Sequence, residues 1–463
     1  AWLVLASLFF YGYWNSSYLL LVLSSILINF SIGSILSNKK SNKTSSLISS
    51  RKSWLSIGVV FNLCLLGYFK YADFFILNMN WAFQGNIALL ELILPLAISF
   101  FTFQQIAYLV DSYQSNTKEY DFLNYCLFVT FFPQLIAGPI VHHKQMMPQF
   151  MRARSKLLNW KNLTAGSIIF SIGLFKKLVI ADSFSLWADS GFEDSANLTF
   201  IEAWGTSLSY TFQLYYDFSG YSDMAIGAAL MLNIHLPANF DSPYKALNIQ
   251  DFWRRWHITL SNWLRDYVYI PLGGNRYGKG RALCSLFLTL VLGGLWHGAG
   301  WSFIVWGGLH GFALVMHRVW QGLGYRMNLV LGWLLTFGFV NATWVIFRAE
   351  NIETALNILK SMFVILPDSF KVSYAFADGL ASILHVQMFS EDFLKSASTV
   401  SEWSVVAAIL MVFVVLFTKN SMQKMNGLLA SRAIGFWEIV SFSILTVVSC
   451  VMMATTSSEI FLY

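Results

Sequence analysis

Long apolar runs separated by short polar stretches set the layout of this chain. Near-continuous hydrophobic runs occupy residues 1–36, 54–79, 88–110, 122–140, 163–187, 201–233, 282–317, 327–347, 402–418 and 434–455. A helix needs roughly 20 apolar residues to cross a bilayer, and most of these runs supply that many. They are continuous rather than alternating in ten-residue strands, which disfavours a transmembrane barrel. The pattern predicts an all-α, polytopic transmembrane protein. The first run should break near Tyr13-Trp14-Asn15, and because no Met opens the chain it is read as the remainder of a truncated span. A signal peptide is disfavoured there, since no basic segment precedes it.

Two runs carry internal breakers. Pro133, Gly138 and Pro139 interrupt 122–140, and such a broken segment is tolerated where protein or water satisfies the freed backbone groups. The run 282–317 is flanked by Arg281 and Arg318 and contains Gly293-Gly294 and Gly298-Ala299-Gly300. It is expected to form two half-spans that enter from one side and meet at Trp296-His297-Gly298, deep in the bilayer.

Composition agrees with the pattern. Hydrophobic residues make up 56% and charged residues 12%, with a mean hydropathy of +0.56. A soluble domain carries about 25% charged residues, so this chain has half the charge that a water-facing surface uses. Its 41 Phe, 20 Tyr and 18 Trp suit membrane interiors and headgroup boundaries. The net charge of +6 sits mainly in short loops, where it sets orientation, and does not point to nucleic acid. Loops 37–53 (Lys39, Lys40, Lys43, Arg51, Lys52) and 141–162 (Lys144, Arg152, Arg154, Lys156, Lys161) contain no acid and are expected on the cytoplasmic side. The stretch Asp189–Glu202 has four acids and no base, and it and the mixed-charge segment 349–401 are placed outside. Lys419, Lys424 and Arg432 return to the cytoplasm. Cys64, Cys126, Cys284 and Cys450 are too dispersed for a disulfide framework or a zinc site. With no internal repeat or low-complexity linker, residues 1–463 are read as one integral membrane domain, its chemistry concentrated in 235–317.

Of the eight histidines, His297 and His310 lie in strongly apolar sequence. An ionisable residue at membrane depth is costly and therefore a functional candidate. His297, between Trp296 and Gly298, leads; His310 is read as a helix-packing residue. His142-His143 falls in a basic loop and is read as solvated or lipid-facing. In Asp251–Asp266, steps of three and four put Arg254, His257, Ser261 and Arg265 on one helical face, opposite several tryptophans and leucines. The plainer reading is an interfacial amphipathic helix among headgroups. An imidazole between guanidiniums suits an anionic ligand instead. Pro271–Arg281 is glycine-rich and cationic without a nucleotide-binding spacing, and a cytoplasmic turn is its simplest reading. Asp217 and Asp223 are buried acids, assigned first to fixing a helix.

At these residues the sequence resembles the membrane-bound O-acyltransferase family, and within it the bacterial alginate O-acetyltransferase (AlgI-like) subfamily. The matching runs are Gly67–Asp73, Leu94–Phe103, Gly138-Pro139-Ile140 and Tyr216–Asp223, then Phe252–Ser261, Tyr269–Arg276 and Leu295–Gly298. They lie in order over most of the chain. The resemblance implies the all-α family fold, with broken or re-entrant helices around a central tunnel and interfacial amphipathic helices. It implies that His297 matches the principal catalytic histidine and His257 a second functional position. It also implies acetyl-CoA as donor substrate from the cytoplasm, no bound cofactor or metal, and an acceptor hydroxyl on an exported, alginate-like polysaccharide outside the bacterial inner membrane. Periplasmic partner proteins complete the transfer.

Carrying coenzyme A phosphates through hydrocarbon is prohibitive, so only the acetyl group should pass, between two funnels meeting at an intramembrane imidazole. On this reading His297 is the general base. His257 orients the donor or stabilises the oxyanion. Arg254, Arg255 and Arg265 contact donor phosphates, and Ser261, Trp296 and Asp217 complete the binding residues. The alternatives are D-alanyl transfer to teichoic acid from a carrier-protein thioester, and a non-enzymatic polysaccharide or acyl transporter, since broken helices also mark transporters.

Overall fold

A computed structural model describes residues 1–37, 50–114, 121–136, 138–152, 157–364, 402–431 and 435–455, and among these every regular element is helical. In chain order they are α1 (Trp2–Trp14), α2 (Ser17–Ser37), α3 (Arg51–Phe83), α4 (Ile98–Tyr113), α5 (Phe122–Thr130), α6 (Phe132–Leu135) and α7 (His143–Met151). There follow α8 (Trp160–Glu193), α9 (Phe200–Met231), α10 (Ile249–Arg255), α11 (Ile258–Leu264), α12 (Lys279–His297), α13 (Trp301–Gly322), α14 (Leu329–Arg348) and α15 (Ile352–Ser361). After the residues left undescribed come α16 (Glu402–Phe417), α17 (Ser421–Ala430) and α18 (Phe436–Thr455). Six stretches among the described residues are long and apolar enough to cross a membrane, namely α2, α3, α8, α12, α14 and Trp403–Ala430. The expectations for Lys39, Lys40, Lys43, Arg154, Lys156 and Arg432, and for 365–401, fall outside the described residues.

Several predicted breaks are found. The chain leaves helix at Asn15, which is extended. It breaks again at Phe131, just before Pro133, where ψ swings to 103°. The run 88–110 is helical only from Ile98. Pro95 cannot donate to a helix ladder and restricts the residue before it, and Ala97 is left-handed with φ 59°. The preceding coil is held instead by Asp73, whose carboxylate accepts the backbone N–H groups of Leu90 and Glu91 at 2.7 and 3.0 Å. α3 and α8 each contain a wide π-turn, at Gly67–Tyr71 and Lys176–Ala181.

The expectation for 282–317 holds at Trp296-His297-Gly298, where two helices meet, and is corrected at Gly293-Gly294. α12 has 19 residues and α13 has 22, about 28 and 33 Å at 1.5 Å per residue. By length and apolarity α12 could cross a membrane, while α13 is not among the stretches that meet both conditions. Gly293-Gly294 does not interrupt α12. A Cβ on Gly294 would collide with the Phe303 carbonyl, and one on Gly307 with the Leu290 carbonyl. The glycines let two backbones touch, the usual role of small residues between membrane helices. The chain turns only at Gly298–Gly300, where both of these glycines are extended.

The contacts divide the chain into two compact units. The first comprises Ala1–Phe170, Met224–Ala238 and Asn262–Val268. Its α2 and α3 are joined by the fully buried Asn29–Asn62 amide pair (2.7 Å), and Trp263 stacks flat on Phe103 at 3.7 Å. The second comprises Ser171–Asp223, Asn239–Ser261 and Tyr269–Tyr463. Residues 235–317 therefore contribute to both units. The second unit contains an aromatic core in which Trp306 stacks on Trp344 (5.5 Å, 18°) and Trp256 packs against Tyr215, Phe240, Tyr244 and Phe252.

Candidate active site

The second unit brings His257, Trp296 and His297 together. His297 is the last residue of α12, and Gly298 follows because the Phe303 ring occupies the space where a Cβ would point. The His297 ring is half-buried, edge-on to Trp306 (5.3 Å, 90°) and to Phe347 (5.3 Å, 77°). Trp296, itself buried, lies 5.0 Å from the His297 ring and 6.3 Å from that of His257. The two imidazoles thus share one indole as a neighbour.

His257 arrives by a different route. The segment read as one helix is two, because Trp256 is extended and His257 has φ 42°, a left-handed conformation uncommon outside glycine. The proposed stripe of Arg254, His257, Ser261 and Arg265 is therefore corrected: helical spacing does not carry across the break. Such backbone strain, of order 1–3 kcal/mol, persists only where surroundings impose it. Asn239 imposes it here. Its carbonyl accepts Ile258 N–H (2.9 Å), while its side-chain oxygen faces His257 Nδ1 (3.0 Å) and accepts from Thr259 Oγ1 (2.8 Å). Asp241 N–H donates to the Arg255 carbonyl (2.9 Å), so residues 239–241 pair with the break like a short strand. Asn239 Nδ2 donates to Ser222 Oγ on α9 (3.2 Å).

That geometry assigns the imidazole. The Thr259 hydroxyl and, more distantly, its N–H (3.4 Å) both point at the Asn239 oxygen, so the amide presents an acceptor and His257 Nδ1 is the donor. Nε2 is then the basic nitrogen. His257 is 1% exposed and outside the spanning helices, and its burial pushes the ring well below its ordinary pKa, with His297 adding to the shift. A neutral ring with Nδ1–H engaged accepts through Nε2, which favours the donor-orienting role expected of His257 over the oxyanion role.

The remaining candidates are placed as follows. Ser261 is half-buried and its hydroxyl turns back to the Trp256 carbonyl (3.5 Å). Arg255 pairs with Asp251 (3.0 Å), and Arg254 is exposed at the end of α10. Arg265, in the first unit, is bound by its neighbour Asp266 (2.7 Å). Asp217 forms a buried ion pair with Lys177 (3.1 Å), which also meets Asp182 (2.5 Å). Lys176 bridges Asp223 and Ser421, both at 2.6 Å. These pairs tie α9 to the π-turn of α8 and agree with the helix-fixing assignment. His310 is a packing residue: fully buried among aromatic rings, with Nε2 on Thr343 Oγ1 at 2.9 Å.

Asn239 was not a sequence candidate. Its contacts reach across 18 to 20 positions, and no local pattern announces them. Lys176-Lys177 carried a usable signal, since two cations inside an apolar run require buried acids, and Asp217 and Asp223 supply them in the next one.

Comparison with known proteins bears on the chemistry. A model of the membrane-bound O-acyltransferase family matches residues 7–356. A peptidoglycan O-acetyltransferase from Helicobacter pylori is 45% identical, covering 100% of this chain and 90% of that protein. A probable alginate O-acetylase (AlgI) from Pseudomonas aeruginosa is 41% identical over 78% of this chain and 69% of its own length. A teichoic acid D-alanyltransferase from Streptococcus thermophilus is 29% identical over 49% of this chain and 57% of its own.

Proposed function

Since the chain belongs to the membrane-bound O-acyltransferase family and is an acyltransferase, we propose that it O-acetylates an exported glycan across the bacterial inner membrane. Acetyl-CoA is the donor at the cytoplasmic side, and the acceptor hydroxyl approaches from the outer side with the help of periplasmic partner proteins. Peptidoglycan stands ahead of alginate as acceptor, because the peptidoglycan-acetylating relative matches over the whole chain and the alginate relatives over about four-fifths of it.

The observation that carries this reading is the convergence of two imidazoles on Trp296, one half-exposed at a helix end and one enclosed with a defined tautomer. His297 takes the proton from the acceptor hydroxyl as its oxygen attacks the thioester carbonyl carbon. The tetrahedral adduct collapses, the C–S bond breaks, and the departing thiolate takes the proton back from the imidazolium. The carbonyl end of α12, negative by its aligned peptide dipoles, favours the positive charge that develops on this ring. His257 Nε2 accepts from a substrate N–H or O–H and holds it in line. General-base help of this kind is worth about 10²–10⁴-fold.

The test is reconstitution in liposomes with acetyl-CoA and a glycan acceptor, following thiol release and acetylated product together. Wild type should yield both in equal amounts, and a transporter would release no thiol. His297→Ala at equal membrane abundance should abolish both. Undiminished acetylation would remove His297 from the mechanism.

A further inference from the structure

Away from the histidines, the opposite end of the α12–α13 pair encloses a cleft of about 580 Å³, lined by Asn275, Gly278, Lys279, Leu283, Arg318 and Val319 among others. Its rim is cationic. Arg276, Lys279, Arg281, Arg318 and Arg326 gather in the sequence around this end, and no acid occurs between Asp266 and Glu350. By the positive-inside rule it faces the cytoplasm. The rim is also organised: Tyr269 OH donates to Asn275 Oδ1 (2.7 Å) and accepts from Arg318 Nη1 (3.2 Å), orienting both toward the cleft wall they share. Gly278, at φ 87°, precedes α12 without a side-chain cap, so the first-turn N–H groups add positive potential to that of the two side chains. Leu283 and Val319 give the cleft apolar walls, and Phe287, one turn further along α12 than Leu283, is exposed.

We propose that this cleft holds the phosphate of an anionic phospholipid headgroup, with the acyl chains lying along the apolar faces of α12 and α13. Charge at the rim and hydrocarbon below match the two parts of such a molecule, and basic pockets between membrane helices on the cytoplasmic side are suited to it. A soluble thioester donor fits less well. The cleft sits at the first turn of α12 and His297 at its last residue, roughly 27 Å away along the axis, so a phosphate held here belongs to a molecule that stays at the membrane face.

The experiment uses the full chain purified in detergent, titrated with phosphatidylglycerol, phosphatidylcholine, inorganic phosphate or coenzyme A while the thermal unfolding midpoint is read. Phosphatidylglycerol should raise the midpoint, and phosphatidylcholine should not. Lys279→Gln and Arg318→Gln should each weaken the apparent phosphatidylglycerol affinity about fivefold, and together about 25-fold, at roughly 1 kcal/mol per charge. Lys279 is exposed, so its variant keeps the fold, and Arg318→Lys should retain most of the effect. Equal stabilisation by phosphatidylcholine, or an affinity unchanged in the double variant, overturns the proposal. So does inorganic phosphate reproducing the shift, which marks a small-anion site, or coenzyme A competing with the lipid, which marks a donor subsite.

Discussion

Two interruptions in the second unit each deliver a histidine, and they are built in opposite ways. At Gly298–Gly300 the chain turns on residues without side chains, and His297 precedes the turn in ordinary helical conformation. At Trp256-His257 no glycine or proline is present, and the histidine itself takes the left-handed backbone. The first break is permitted by its own residues, while the second is imposed from outside by Asn239. An imidazole that must exchange a proton with a moving substrate gains from a half-open place at a helix end. One that must hold a fixed tautomer gains from being clamped.

The largest expected effect lies at the open break. His297→Ala should lower acetyl transfer by about 10²–10⁴-fold with protein abundance unchanged, measured as acetylated glycan per milligram of membrane protein. At the clamped break, Asn239→Asp and Asn239→Leu separate positioning from bulk. Leu removes the acceptor for His257 Nδ1 and should lower kcat about 10- to 100-fold, the range seen when a partner that orients a histidine is lost, with little change in KM. Asp keeps the acceptor but adds a negative charge, which raises the His257 pKa. Because the ring must be neutral to accept through Nε2, the acid limb of the pH–rate profile should move to higher pH in Asn239→Asp. An unmoved limb would mean that His257 does not titrate in the reaction.

Smaller effects test the backbone. Gly298→Ala places a methyl against Phe303 and should cost about 1–3 kcal/mol, read as a lower unfolding midpoint in detergent. Smallest is the difference between His257→Gly and His257→Ala. Both lose the ring, but only Gly is at ease at φ 42°, so the Gly variant should be the more stable by about 1–2 kcal/mol. Equal stabilities would erase the contrast between a permitted and an imposed break.

Much of this was legible in the pattern of apolar runs. The membrane class and the breaks at Asn15 and Phe131 follow from hydrophobicity and from prolines that cannot continue a helix. Gly293-Gly294 misled because glycine has two uses in an apolar helix, ending it or letting another backbone touch it, and only the partner at Gly307 decides. The 251–266 segment misled because its apolar period runs straight through a kink that comes from a residue far back in the chain. The candidate site was legible as residue identities, His257 and His297. The tautomer was not, since it depends on one amide contact across the fold.

The wide turn of α8 has a further consequence. A π-turn accommodates one residue more than a regular helical turn, and in an α-helix each residue rotates the chain by about 100°. Lys176 and Lys177 are adjacent in sequence yet reach different carboxylates, Asp223 and Asp217. Deleting a single residue between Lys177 and Ala181 would turn the i, i+5 pair Lys177–Asp182 into an i, i+4 pair on the same helical face, with the rest of α8 still in phase. The wide turn thus absorbs a surplus residue locally, and the helix on either side of it keeps its course.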